Sequence, residues 1–241
     1  MAIVTGNIET SSFTHTGCVR KRNEDALLAL PKSGIWAVAD GMGGHDAGDY
    51  ASHCVISHIY QLAKKVKGAD LVRQFPDALK AANQEILAES LKGGVDRIIG
   101  TTLVALILEA DRYHCFWSGD SRCYLYRDEK LTLITRDHTR AQAMIDEGSF
   151  SEYQILNDPA GQALTHAIGI EDQLLYDGIS GYIYEGDRFL LCSDGLTKVF
   201  DHRALSQRVA VANIDQINID FLSGALDAGA PDNLSSILVN L

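Results

Sequence analysis

The sequence predicts an α+β domain built in layers, and three features of the chain point to this class. Short β-rich runs follow one another with only turns between them, which favours antiparallel over parallel sheets. Helical patterns come in pairs between those runs instead of alternating with single strands. No Pro/Ser-rich linker, internal repeat or low-complexity tract divides the 241 residues, so we expect a single domain over residues 1–241.

The N-terminal half predicts a strand, a hairpin and two helices. Residues 3–13 are small and β-branched, and residues 27–30 and 35–39 form the two arms of a hairpin across the turn PKSG. Two amphipathic patterns follow a cluster of glycines, over residues 50–66 and 76–92. The second pattern has a proline near its start and two glycines past its end, which is typical of helix boundaries.

The C-terminal half predicts a meander, an irregular helical insertion and a closing pair of helices. Four β-rich runs joined by turns make up the meander, at residues 101–109, 112–119, 122–128 and 130–135. The segment 137–169 is helical but interrupted by glycine and proline, so we expect a flap inserted into the domain. The remaining elements, in order, are strands at 176–184 and 187–195, helices at about 202–212 and 215–228, and a strand at 235–241.

Composition and charge exclude several classes of protein. Apolar residues make up 46% of the chain and charged residues 22%, which is ordinary for a folded globular protein. No stretch approaches the ~20 apolar residues that span a bilayer, and the N-terminus lacks a secretory pattern, so we expect a cytoplasmic protein with no membrane partner. The net charge of −11 disfavours nucleic acid as a partner, because phosphates demand a basic face. We also expect a monomer whose five scattered cysteines are reduced.

An aspartate stands at the end of several predicted strands, followed by glycine or another small residue. The cases are Asp40 in VADGMGG, Asp120 in SGDSR, Asp194 in LCSDGL and Asp232 in APDNLSS, with Glu24 and Asp25 of RKRNEDALL placed ahead of a further strand. A single Asp-Gly is most often only a turn, and for Asp120 a turn-capping role stays open. Four such turns in one chain are harder to explain in this way. They indicate carboxylates gathered at one end of the sheets.

The chemistry of these residues predicts a metal centre that handles phosphate. Aspartates at the mouth of a sheet present hard oxygens from rigid elements, and oxygen ligands without Cys/His spacing select Mg²⁺ or Mn²⁺ over zinc. The glycine after Asp40, Gly41, lets a backbone carbonyl or a substrate approach closely. Arg20, four residues before Glu24, offers a guanidinium that forks onto phosphate oxygens. Together these residues predict a phosphate-cleaving site.

Six sequence blocks, in this order, carry a resemblance to a known family. The blocks RKRNED, VADGMGG, GTT, SGDSR, LCSDG and PDNLSS extend over nearly the whole chain. The chain resembles the metal-dependent PP2C (PPM) family of serine/threonine protein phosphatases in its bacterial stand-alone form, from about residue 14 to 241. The resemblance implies a four-layer αββα sandwich, in which two antiparallel β-sheets are flanked by helix pairs and a two-metal centre lies at one end of the sheets.

The resemblance also implies a role for each acidic residue. Asp40 is expected to bridge two Mn²⁺ or Mg²⁺ ions, with Glu24 and the Gly41 carbonyl on one ion and Asp194 and Asp232 on the other. Asp25 resembles the acid that holds a metal-bound water, and Arg20 resembles the anchor of the substrate phosphate. Asp120, with Asp194, resembles the pair that holds a third, weaker metal ion in bacterial members.

The implied activity is hydrolysis of phosphoserine and phosphothreonine by direct attack of a hydroxide that bridges the two metals. The implied partners are phosphorylated proteins and a cognate Hanks-type serine/threonine kinase, in some bacterial members within a secretion-system pathway. Two alternatives stay open. One is a pseudophosphatase that binds phosphoproteins with little catalysis, and the other is a phosphatase of the same fold that acts on nucleotides or other small molecules.

Several residues depart from the family pattern or carry no predicted role. Met42 stands where animal members have a histidine, and His45 is a candidate for the missing general acid. His166, in LTHAIG, stands where bacterial members usually have an arginine, so the contacts of the flap are left open. His53 and His58 are five residues apart, off one helical face, and are not expected to be ligands.

Overall fold

The fold is taken from a computed structural model that describes residues 8–43, 47–92, 98–148 and 159–241. Three sequence predictions fall wholly or partly outside these described residues. They are the beginning of the first predicted strand, the candidate acid His45 and the middle of the predicted flap.

Eleven strands lie in the described ranges and form two antiparallel sheets. In chain order they are β1 (Glu9–His15), β2 (Asp25–Leu30), β3 (Ile35–Gly43), β4 (Ile99–Thr101), β5 (Leu103–Glu109), β6 (Arg112–Ser118), β7 (Arg122–Arg127), β8 (Lys130–Leu133), β9 (Asp177–Tyr182), β10 (Arg188–Cys192) and β11 (Leu234–Asn240). The first sheet has the order β1-β11-β10-β7-β8, and the second has the order β2-β3-β5-β6-β9, with β4 paired to β3. The predicted hairpin is therefore confirmed as β2 and β3.

Six α-helices lie in the same ranges: α1 (Ala47–Lys65), α2 (Ala69–Lys92), α3 (Arg140–Asp146), α4 (Asp194–Thr197), α5 (His202–Val209) and α6 (Ile214–Asp227). The first pair packs on the second sheet through apolar residues at helical spacing, such as Val55, Ile59 and Leu79. The last pair covers the first sheet in the same way, through Leu205 and Phe221. Each helix pair thus buries one apolar stripe against one sheet.

A third apolar core lies between the two sheets and completes the layers. Trp36 and Leu106 of the second sheet pack there with Phe189 and Ile237 of the first, and all four are fully buried. The order of layers is helix pair, sheet, sheet, helix pair, because strands with an apolar residue on both faces need cover on both sides. The predicted four-layer αββα sandwich is confirmed.

The predicted meander is divided between the two sheets. β5 and β6 pair in the second sheet, whereas β7 and β8 pair in the first, so the chain crosses between them at residues 119–121. Gly119 makes the crossing with a φ of 102°, which favours glycine, and a Cβ at this position would contact the Thr102 side chain. Asp120 consequently belongs to the segment that connects the two sheets and not to a hairpin within one sheet.

Two predicted element boundaries were wrong. α2 begins at Ala69, so Pro76 lies inside the helix and not near its start. The helix continues through the proline because Leu71, Phe75 and Leu79 are all buried against the second sheet, and this burial outweighs one lost backbone hydrogen bond. Similarly, β3 does not end at Asp40 but continues to Gly43, where its partner changes from β5 to β4.

The register of the strands brings the acidic residues to one end of the sandwich. In the first sheet His15 pairs with Leu234, and Cys192 pairs with Arg122, so the ends of β1 and β10 meet the beginnings of β11 and β7. In the second sheet Asp25 lies directly opposite Asp40. The segments that follow or precede these positions therefore emerge at a common edge, where side chains from both sheets meet.

Candidate metal centre

A cleft of about 330 Å³ opens at this end of the two sheets. Its lining includes Arg20, Glu24, Asp40, Gly41, Asp120, Asp194 and Asp232. The structure thus brings together seven of the eight residues that the sequence predicted for the site. The eighth, Asp25, is buried and lies directly opposite Asp40 on the neighbouring strand. Residues that the sequence interpretation missed, among them Thr102, Lys198 and Asn233, also contribute to the lining.

Asp40 is held in place by the two threonines of the GTT block. Its backbone carbonyl accepts hydrogen bonds from the Thr102 amide at 2.8 Å and the Thr101 hydroxyl at 3.0 Å, and its amide donates to Thr102 Oγ1 at 3.1 Å. Thr102 Oγ1 in turn lies 2.7 Å from the hydroxyl of Ser121. These bonds leave the Asp40 carboxylate free to face the cleft, and they give the GTT block a physical role.

Gly41 is required by close packing around the backbone. A Cβ at this position would collide with the carbonyl oxygen of Gly48, at the beginning of α1, and would lie 2.7 Å from the carbonyl oxygen of Glu24. The Gly41 amide donates to the same Glu24 carbonyl at 3.1 Å. The glycine therefore lets β3, α1 and the segment before β2 meet at the edge of the cleft.

One carboxylate oxygen of Asp25 is held by two serines. Ser193 and Ser235 donate their hydroxyl hydrogens to Asp25 Oδ2 at 2.8 and 2.7 Å. The other oxygen, Oδ1, is buried and accepts no hydrogen bond from any described residue. The two serines lie in the sequence blocks LCSDG and PDNLSS, but no local sequence pattern indicates that they bind a carboxylate far away in the chain.

Two basic residues neutralise part of the charge on the aspartates. Lys198 Nζ lies 2.5 Å from Asp194 Oδ2 and 2.8 Å from Asp232 Oδ2. Arg20 donates to both oxygens of Asp232, at 2.8 and 3.0 Å, while its side chain remains about half exposed. Lys198 follows Asp194 by four residues across the short helix α4, which is a sequence signal that could have identified it.

Asn233 connects the segment before β2 to the beginning of β11. Its side-chain amide donates to the carbonyl oxygens of Thr16 and Arg22, both at 2.8 Å, and its Oδ1 accepts from the Glu24 amide at 2.8 Å. The side chain is buried, and both its amide nitrogen and its amide oxygen form hydrogen bonds. Asn233 therefore determines where Glu24 stands relative to the neighbouring Asp232.

Four carboxyl groups of the site, those of Asp25, Asp40, Asp120 and Asp232, have shifted pKa values. Burial raises the pKa of Asp40 well above its ordinary value, and the nearby carboxylates of Asp25 and Asp194 raise it further. Burial likewise raises the pKa of Asp25 to about 6, and burial with the charge of Asp194 raises that of Asp120 to about 7. Burial alone would raise the pKa of Asp232, but hydrogen bonds from Lys198 and Arg20 bring it below its ordinary value.

These shifts and the unsatisfied oxygens fit a centre for divalent cations. Among the described residues, six carboxylates are gathered with two basic side chains, Arg20 and Lys198. The pKa values of Asp25, Asp40 and Asp120 are raised first by burial and then by the neighbouring carboxylates, so bound positive charge would be needed to keep these groups ionised together. The buried oxygens Asp25 Oδ1 and Asp194 Oδ1 have no hydrogen-bond donor among the described residues. The ligand atoms are all oxygens, which suit Mg²⁺ and Mn²⁺.

Of the described parts of the predicted flap, residues 137–148 and 159–169, the second contributes to the lining of the cleft. Gln162 and Leu164 line it directly, whereas His166 lies in an adjoining cleft of about 450 Å³ together with Met42. His166 contacts the ring of His138, with 4.4 Å between ring centroids, so a histidine pair occupies the region where an arginine is usual in bacterial members.

An αββα sandwich with a ring of carboxylates at one end of its sheets has the architecture of the PP2C-type phosphatases. The sequence profile of the family described as Protein phosphatase 2C matches residues 19–217, which is most of the chain. The chain belongs to the Protein phosphatase 2C family.

Among its relatives, the serine/threonine protein phosphatase PstP of Mycobacterium tuberculosis is 32% identical over all of this chain. The chain spans only 46% of the length of PstP. The solved structure of PppA, a key regulatory component of T6SS in Pseudomonas aeruginosa, has a TM-score of 0.87 and 33% identity, with 98% of both chains covered. The catalytic domain of PstP in complex with two manganese ions has a TM-score of 0.86 and 31% identity, with 97% of both chains covered.

Among the described residues, no helix is both long and apolar enough to cross a membrane.

Proposed function

We propose that this chain is a metal-dependent protein phosphatase that hydrolyses phosphoserine and phosphothreonine. The observation that carries this proposal is the convergence of Glu24, Asp40, Asp194 and Asp232 from both sheets on one cleft, with Arg20 at its open edge. An exposed guanidinium beside a carboxylate ring suits a phosphate monoester that approaches from solvent. The manganese-bound catalytic domain of PstP, with 97% of both chains covered, supports the use of Mn²⁺ or Mg²⁺.

Each residue of the cleft has a role in this proposal. Glu24, the Gly41 carbonyl, Asp40, Asp194 and Asp232 would hold two divalent ions, and such ions would lower the pKa of a water nucleophile and neutralise charge on the phosphoryl group. Asp25 Oδ1 would accept a hydrogen bond from a water molecule, because the other oxygen of Asp25 is already held by two serines. Arg20 would orient the phosphate for in-line attack. Asp120, with Asp194, would hold a third, weaker ion.

The substrates and partners belong to the same proposal. The chain forms one phosphatase domain over residues 1–241 with a flap at about 137–169, and it acts on proteins phosphorylated by a cognate Hanks-type kinase. The likeness to PppA, a key regulatory component of T6SS, supports a secretion-system pathway as the setting.

Metal-dependent hydrolysis is the direct test. The purified chain is expected to hydrolyse p-nitrophenyl phosphate and phosphothreonine peptides with Mn²⁺ or Mg²⁺, because the proposed ligands are all oxygens. EDTA should abolish the activity because it removes these ions. Full activity after metal removal, or activity with zinc alone, would contradict the proposal. Binding of phosphopeptides without turnover would favour the pseudophosphatase, and faster turnover of nucleotides than of peptides would favour a small-molecule phosphatase.

A further inference from the structure

The outer layer of the sandwich carries a second group of metal-ligating side chains, away from the carboxylate cleft. Cys54 and His58 are four residues apart on α1 and therefore project from the same face of the helix. Glu85 projects from the neighbouring helix α2. One ligating atom from each of the three residues lies within 4.8 Å of the other two.

We propose that Cys54, His58 and Glu85 form a binding site for a zinc ion between α1 and α2. Thiolate, imidazole and carboxylate in one cluster are the ligand set that zinc accepts, and Mg²⁺ and Mn²⁺ prefer oxygen alone. The site thus differs in chemistry from the all-oxygen cleft at the end of the sheets. Three protein ligands leave the fourth tetrahedral position to a water molecule or an external ligand.

The surroundings of the three side chains support this proposal. His58 Nε2 lies 2.9 Å from Glu85 Oε2, and the Tyr50 hydroxyl donates to Glu85 Oε1 at 3.3 Å, so the carboxylate is already oriented toward α1. Cys54 is buried, whereas His58 and Glu85 are accessible enough for an ion to enter from solvent.

The charges of the site balance when zinc binds. The ion displaces the proton of the Cys54 thiol, and this proton passes to solvent as the sulfur–zinc bond forms. One thiolate and one carboxylate, with a neutral imidazole, then carry two negative charges against the two positive charges of zinc. A neutral complex avoids the cost of burying a net charge beside the apolar core of α1.

α1 provides a matched histidine that lacks the other ligands. His53 lies beside Asp49, with Nδ1 2.7 Å from the carboxylate, but its ring is more exposed than that of His58 and it is not part of the cluster of Cys54, His58 and Glu85. Cys18 similarly provides an exposed free thiol outside the cluster. These two residues serve as controls for His58 and Cys54.

Cobalt spectroscopy on the full chain tests the proposal, because a sulfur ligand gives Co²⁺ an intense near-ultraviolet charge-transfer band that oxygen ligands do not give. With the carboxylate cleft saturated with Mg²⁺, one equivalent of Co²⁺ is expected to produce this band and one equivalent of Zn²⁺ to abolish it. Cys54→Ser should remove the band, and His58→Gln or Glu85→Gln should weaken Co²⁺ binding by more than about tenfold. Cys18→Ser and His53→Gln should leave the band and the affinity unchanged.

Other results would overturn the site. Absence of the band in the unmodified chain would mean that the cluster is only a hydrogen-bonded contact between α1 and α2. A band that persists in Cys54→Ser would place the sulfur ligand elsewhere. Equal affinities in His58→Gln and His53→Gln would show that His58 does not bind the ion. Circular dichroism establishes that each variant is folded, and the exposed Glu85→Gln variant keeps the test decisive if Cys54→Ser does not fold.

Discussion

At the scale of single residues, Arg20 is the clearest case of a side chain whose two contacts imply different roles. It forms a two-pronged ion pair with Asp232, a proposed metal ligand, yet its exposed guanidinium also lines the cleft. A phosphate anchor acts on the substrate, whereas a partner of Asp232 acts on the metal. The two roles are separable by experiment.

We expect Arg20→Ala to raise KM for a phosphothreonine peptide by about tenfold to hundredfold, because a charge-assisted pair of hydrogen bonds to phosphate is lost. Mn²⁺ affinity, measured by calorimetric titration, should change far less. Lys21→Ala is the control, since Lys21 is exposed and adjacent. Loss of Mn²⁺ binding in Arg20→Ala would show that the arginine organises the metal ligands instead of the substrate.

Asp120 is the second residue with two interpretations. The crossing between sheets that contains it does not need an aspartate for a hairpin turn, and its half-buried carboxylate faces Asp194. We expect Asp120→Ala to reduce kcat strongly while two Mn²⁺ ions per chain remain bound. Melting temperature, Mn²⁺ stoichiometry and kcat are measured on one preparation. A normal kcat with stability lowered by about 1 kcal/mol would mean that Asp120 only supports the turn.

At the scale of elements, β6 contains a histidine whose burial has a consequence for stability. His114 Nδ1 lies 2.7 Å from the Ser180 hydroxyl on β9, and its Nε2 is buried without a partner among the described residues. Burial lowers the pKa of His114, while Glu109 raises it and Arg112 lowers it further. The neutral form of the imidazole is thus favoured in the folded chain.

The sign of the pH dependence follows from this lowered pKa. The unfolded chain, with an ordinary histidine pKa of 6.5, binds the proton more tightly than the folded chain does. His114 should therefore lower the free energy of unfolding as the pH drops below about 6.5, whereas the raised pKa values of Asp25, Asp40 and Asp120 act in the opposite direction. His114→Gln should remove the contribution of the histidine and so change the slope. Urea unfolding at several pH values measures the slopes, with His53→Gln as the exposed control. Parallel slopes in wild type and His114→Gln would contradict the prediction.

Helix α2 shows how packing overrides a local signal. A proline usually lies in the first turn of a helix, and the sequence therefore predicted a start near Pro76. The structure extends the helix to Ala69 because residues on both sides of the proline bury apolar side chains on one face. A local pattern does not reveal how much tertiary burial is available to offset a missing hydrogen bond.

At the scale of the whole molecule, the proposed metal ligands join the two sheets. In the second sheet, Glu24 directly precedes β2 and Asp40 lies in β3. In the first sheet, Asp194 follows β10 and Asp232 precedes β11. An ion held by both groups binds the folded chain and not the unfolded one. Metal binding should therefore stabilise the whole sandwich.

We expect Mn²⁺ at a hundred times its dissociation constant to raise the melting temperature by about 5–10 °C, from about 2.7 kcal/mol of binding linkage. Asp40→Asn should lose most of this increase. Asp201→Asn is the control, because Asp201 caps α5 outside the cleft and asparagine caps a helix about as well, so this variant should keep the full increase. An equal increase in the Asp40 variant would mean that Mn²⁺ stabilises the protein from another site.

The sequence by itself determined the order of the elements, the layered α+β class and the acidic positions, because strand alternation, helical spacing and Asp-Gly turns are local signals. The αββα order of layers came from the resemblance of six sequence blocks to a known family. Only the tertiary structure decided which groups meet. Ser193 and Ser235 lie 168 and 210 residues from Asp25, and the partners of Asn233 lie more than 200 residues away. The same holds for His58, which its spacing from His53 argued against as a ligand. Cys54 is its neighbour on one face of α1, whereas Glu85 meets it only because α1 and α2 pack together. Periodicity specifies the face on which a side chain lies, whereas the packing of distant segments specifies what that side chain contacts.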